Sequence, residues 1–138
     1  MSVFERWHPI QHDMGLIKAP CKEVVDAFQI WKQCIGQLSS IKNINSSLQA
    51  AFEALQPLSV ELRRALFVPT SSEWTAFFQS GISGSDPSPP MTVLSKKMSV
   101  MAMRVCSTHK SAKYSANIWE VYDPFLTKWL WQINIRFK

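Results

Sequence analysis

Apolar residues recur along this chain with two periods, and the switch between them marks its elements. Residues 12–18 form a short extended segment carrying Met14 and Leu16 or Ile17. After Pro20, Val24, Phe28, Trp31 and Ile35 recur at i, i+4, i+7 and i+11, one helical face, and Gly36 supplies a stop. A shorter helix follows, capped by Ser46 or Ser47, striped by Leu48, Phe52 and Leu55, and ended by Pro57. Residues 65–68 and 74–79 are rich in β-formers and are joined by a Pro-Thr-Ser-Ser turn of hairpin length. The second of these strands carries aromatics on both faces, Trp74 and Phe78 on one and Phe77 on the other, which predicts a central, covered strand.

The stretch GISGSDPSPP reads as a tight turn into a proline-started helix. Gly81 and Gly84 permit positive φ, and Asp86 or Ser88 serves as cap. Met91, Leu94 and Met98 form the buried stripe of that helix. The final third alternates with period two. Val100, Ala102, Arg104 and Cys106 oppose Met101, Met103 and Val105; Ile118, Glu120 and Tyr122 oppose Trp119 and Val121. In the tail, Trp129, Trp131, Ile133, Ile135 and Phe137 share one face. The order is βα(α)ββαββ with a further C-terminal strand. It predicts an α+β two-layer sandwich, a mostly antiparallel sheet with two main helices on one face.

Composition narrows this picture. A chain of 138 residues fits a single domain, residues 1–138, of which 124–138 form an atypical Trp-rich tail. With 46% hydrophobic and 18% charged residues the chain is globular rather than disordered. The net charge of +5 is scattered, with a loose basic group at Lys96, Lys97, Arg104, Lys110 and Lys113. Nucleic-acid binders concentrate such charge on one face, so nucleic acid is not expected as partner. The start of the chain has no apolar signal region, and no stretch approaches the ~20 apolar residues of a membrane span. Together with an odd count of three cysteines, this predicts a cytoplasmic protein without membrane attachment.

Candidate chemistry is sparse. Cys21, Cys34 and Cys106 have no metal-ligand spacing, and Cys34 and Cys106 fall at positions that read as core. His8 and His12 straddle Pro9 in an extended segment, and His109 reads as a loop residue. No nucleophile–base arrangement and no phosphate loop is present, so no catalytic residue, metal or cofactor is assigned. Two surfaces stand out. Trp74, Phe78, Arg104, Trp119 and Glu120 are candidates for an aromatic-lined ligand cleft, in which Arg104 and Glu120 form a cross-strand pair that is otherwise a surface motif. Trp129, Trp131, Ile133, Ile135 and Phe137 are candidates for an interface, most simply a homodimer through the tail.

PTSSEWTAFFQSGISGSDP, MAMRVCST and NIWEVYDP, within residues 69–124, resemble segments of small uncharacterised bacterial stand-alone proteins carried on mobile elements, of the integron gene-cassette type. MGLIKAPCKEVVDAF is similar to their beginnings. The resemblance covers most of the chain up to Asp123 but includes no catalytic motif, so it assigns no site residue; the tail departs from the pattern. The order of elements also resembles the gyrase-inhibitor-like fold, two βαββ units around an aromatic cleft. Two functions stay open: a non-enzymatic accessory protein acting through protein–protein contacts, and a small-molecule effector binder.

Overall fold

The computed structural model describes residues 7–108, 111–125 and 130–136, the last stretch through its backbone. Six strands form one antiparallel sheet: β1 (Asp13–Ile17), β2 (Ala65–Pro69), β3 (Thr75–Gln79), β4 (Ala102–Ser107), β5 (Ser115–Tyr122) and β6 (Leu130–Arg136). Their spatial order is β2-β3-β1-β4-β5-β6. Two longer helices, α1 (Cys21–Cys34) and α3 (Ser88–Met98), lie on one face; a short helix, α2 (Leu48–Glu53), belongs to the other. The fold is the α+β sandwich expected from the element order.

Each face has its own apolar core. On the α1/α3 face, Ile17, Val24, Phe77, Met91, Leu94, Ala102 and Tyr122 are buried together. Phe28 of α1 reaches the sheet here, its ring 5.1 Å from Phe67 and 5.8 Å from Phe77. Gly15 makes the close packing of α3 possible, because a Cβ there would stand 2.8 Å from the Met91 sulfur. On the opposite face Trp7, Ile10, Phe52, Leu55, Leu66, Ala76 and Phe78 cluster, with Phe52 packed edge-on against Phe78 at 4.9 Å. All five residues of β3 are therefore buried, as the two-sided aromatics of that strand require.

Several local expectations are corrected. Leu48 is 51% exposed, and α2 buries Ala51 and Phe52, with Leu55 buried just beyond its end. Ser47 caps α2, accepting from the Ala50 N–H at 3.2 Å. Neither Asp86 nor Ser88 caps α3: Pro87 is the N-cap, and the Asp86 N–H donates to Gln79 Oε1 at 2.9 Å. Gly84 alone of the GISG pair has positive φ (101°); Gly81 is needed for space, since a Cβ would lie 2.1 Å from the Gly84 oxygen. Cys34 is exposed and Cys106 only half-buried, so neither is a core residue. Residues 10–12 form a 3-10 turn rather than extended chain, which brings the His8 and His12 rings to 4.7 Å.

Candidate functional site

The two-residue period of β4 and β5 puts Arg104 and Glu120 in direct register on the α1/α3 face. Their ion pair forms at 3.4 Å, with the side chains only 21% and 27% exposed. The stronger partner of Arg104 is Asp13. Nε donates to Oδ1 at 3.0 Å, and the terminal NH2 group donates to Oδ2 at 2.6 Å. Register explains the choice. The residue directly opposite Arg104 on β1 is Gly15, which has no side chain, so the guanidinium reaches diagonally to Asp13 two residues away. Glu120 is further held by the Ser88 hydroxyl, which donates at 3.2 Å from the first turn of α3, and by the Tyr122 hydroxyl.

The electrostatics follow from burial inside this cluster. Burial lifts the Asp13 carboxyl above its ordinary value, although Arg104 pulls it the other way; Asp86 and Glu120 add to the lift. Hydrogen bonding to Asp13 holds Arg104 firmly protonated. Tyr122 is pushed up to about 12 by burial and by donation to Glu120. Burial, and then the charge of Asp13, raises the Cys106 thiol. Arg104 is thus bound on both sides by carboxylates, and Glu120 takes three donors. The arrangement is a clamp joining β1, β4, β5 and the start of α3. It also withdraws Arg104 from the loose basic group read in the sequence.

The other ligand candidates do not converge on this clamp. Phe78 is buried in the core of the opposite face. Trp119 lies on that same opposite side of β5, 51% exposed, with its indole N–H on the Met103 sulfur at 3.1 Å. Trp74 lines an open cleft of about 770 Å³ at one end of the sheet, between the β1–α1 corner, the β2–β3 turn and the chain after β5. Met101, Asp123 and Phe125 line it too, and the ion pair Lys18–Glu73 (3.5 Å) lies on its wall. The five residues thus occupy four separate places, and only Arg104 and Glu120 meet.

The tail forms a strand within the sheet, as its alternation predicts. β6 pairs with β5 so that Trp131 stands opposite Glu120, Ile133 opposite Ile118 and Ile135 opposite Ala116. Trp129 and Phe137 lie outside the described residues, as does His109. Among the described residues no group of three His, Cys, Asp or Glu side chains is placed to hold a metal ion. No described helix is long and apolar enough to cross a membrane.

One surface escapes a reading by periodicity. The chain is exposed without interruption from Gln33, at the end of α1, to Asn43 in the connector to α2. It presents Ile35 at 51%, Leu38 at 99% and Ile41 at 53% exposure, beside Ile30 of α1 at 56%. Its signal in the sequence is aliphatics in a Ser/Asn-rich loop, where no helix or strand period can turn them inward.

Comparison with family models, curated proteins and solved structures gives no match. The fold and the clamp define an α+β sandwich, and function has to be read from its surfaces.

Proposed function

We propose that this is a non-enzymatic binding protein acting through protein–protein contacts, an accessory factor of the bacterial mobile-element type that works in the cytoplasm. The observation that carries this reading is the connector after α1, which holds Leu38 almost wholly in solvent and exposes Ile35 and Ile41 close to it in the chain. Clustered exposed apolar side chains mark interaction surfaces. The clamp supports the same reading from the other side, because its charged groups are spent on one another. A homodimer, in this reading, uses the outer edge of β6, the last strand of the sheet. The test is affinity capture from producing cells with wild-type protein and with the Leu38→Glu, Ile41→Glu double variant. Loss of a specific partner at unchanged melting temperature supports the proposal; identical capture by both proteins refutes this surface.

A second reading rests on the cleft beside Trp74, whose volume falls in the range of small-molecule sites, roughly 300–1,000 Å³. It places the effector there rather than at Arg104. Titration of a small-molecule panel followed by tryptophan fluorescence tests it, with Trp74→Phe as the control. Quenching that survives in Trp74→Phe locates the ligand elsewhere.

A further inference from the structure

We infer that the α1–α2 connector docks into an apolar groove rimmed by carboxylates on a protein partner, with Leu38 as the inserted side chain and Lys42 as its charged flank. This rests on the protein-contact reading above and adds the chemistry of the partner. The first observation is geometric. The connector is held at two points. Directly after Leu38 the Gln29 side chain donates to the Ser39 carbonyl at 3.5 Å, holding the chain against α1. Near its end Ile44 packs against the core of the opposite face, and Ser47 caps α2. Leu38 and Ile41 are therefore presented on an anchored segment, which lowers the ordering cost of docking.

The second observation is charge. From Ala27 to Phe52 the sequence has no carboxylate, while it carries Lys32 and Lys42. The Lys32 ammonium lies over the Trp31 ring at 4.5 Å and over Phe28 at 5.3 Å, so it is fixed at the α1 end of the patch. Lys42 is exposed beside Ile41. An apolar ridge with Lys32 and Lys42 beside it complements an apolar groove with acidic borders, and like charges oppose the wrong partner. The same arrangement disfavours a second copy of this chain, since a two-fold contact would set this lysine-bearing patch against itself. It also disfavours nucleic acid, for which the aliphatics have no use.

The experiment places a photo-crosslinking benzophenone residue at position 38 in the full chain, expressed in producing cells, and identifies the products by mass spectrometry. A control carries the same group at Lys97, on exposed α3 surface. Expected is a crosslink from position 38, absent at 97, to one protein at a site neighboured by Asp or Glu. Its yield should fall at least about tenfold when Lys42→Glu is added, since contacts between close charge pairs carry that much. Because Lys42 is exposed, its replacement leaves the melting temperature unchanged, which is measured alongside. A crosslink that Lys42→Glu leaves unchanged overturns the acidic-rim assignment while the contact reading stands. A product that is only a dimer of this chain overturns the hetero-partner. No specific product from position 38, with a specific product from a probe at Trp119, overturns the connector as the surface. No specific product from either probe overturns the protein-contact reading itself.

Discussion

Replacing Arg104 with Met keeps most of the volume and removes the charge, and its effect can be worked out from the clamp. Asp13 is 12% exposed and loses the guanidinium that donates to it at 2.6 and 3.0 Å. Breaking a fully buried pair by removing one partner costs about 3–5 kcal/mol. Residual hydration of both side chains lowers this to about 2–4 kcal/mol, a large share of the ~5–15 kcal/mol that holds a domain together. The loss has a pH signature. In wild type only Arg104 pulls the Asp13 carboxyl down; burial, Asp86 and Glu120 all push it up. Without Arg104 the folded-state pKa therefore rises further above the ordinary 3.8. A raised carboxyl favours the folded state below its unfolded pKa, and that contribution is lost as pH rises through the folded value. The Arg104→Met deficit should accordingly be largest near neutrality and shrink as pH falls towards about 4. Urea unfolding across that range, followed by tryptophan fluorescence, measures it. Adding Asp13→Asn should restore part of the loss at neutral pH, because the unpaired charge is gone. A deficit under about 1 kcal/mol that does not change with pH would show a solvated surface pair, whose usual worth is ~0–1 kcal/mol.

Leu94→Ala should cost about 2–5 kcal/mol by urea unfolding, since Leu94 is fully buried between α3 and the sheet; a change below about half a kcal/mol would mean that its side chain faces outward. Tyr122→Phe should remove an alkaline loss of stability: with the hydroxyl pushed up to about 12 from 10.0, the unfolded chain loses its proton first, so wild-type stability falls between those values. The slope approaches about 1.4 kcal/mol per pH unit, and equal slopes in wild type and Tyr122→Phe refute the shift. Deleting residues 128–138 removes a strand paired with β5 at seven register positions and should leave the protein unfolded, insoluble or changed in mass. A truncated chain that keeps its melting temperature, solubility and mass would show that β6 contributes nothing.

Periodicity carries the fold because each element buries a face that its spacing already defines. β3, α3 and the β4–β5 pair are cases where local pattern and tertiary burial agree. The clamp is only half readable. Arg104 and Glu120 are mid-strand neighbours across a hairpin, so alternation alone pairs them. Asp13 sits 91 residues away, and its contact depends on β1 lying between β3 and β4 and on Gly15 leaving room; no local pattern encodes either. Trp119 and Phe78 join the cleft candidates only because both are strand aromatics. Parity already separates Trp119 from Glu120, its neighbour in sequence, onto the opposite face. Capping of α3 also departs from the sequence pattern: Pro87, which has no side-chain acceptor, stands at the N-cap position between the two polar candidates.

The two cores also divide the sheet unequally. Strands β2, β3 and β1 are packed from both sides, whereas on β4 and β5 the side facing away from α3 leaves Met103, Val105 and Val121 half-covered and Trp119 half in water. Amide exchange registers such a difference, because it follows the free energy of the smallest opening that frees each N–H. The β3 amides lie under two layers of side chains and should exchange only on global unfolding. The β4–β5 hairpin has one layer to shed, so its amides should exchange through an opening of lower free energy. The clamp of Asp13, Arg104 and Glu120 stands across the seam between these units. It is the hinge pin of the sheet, fastening the half that yields to the half that does not.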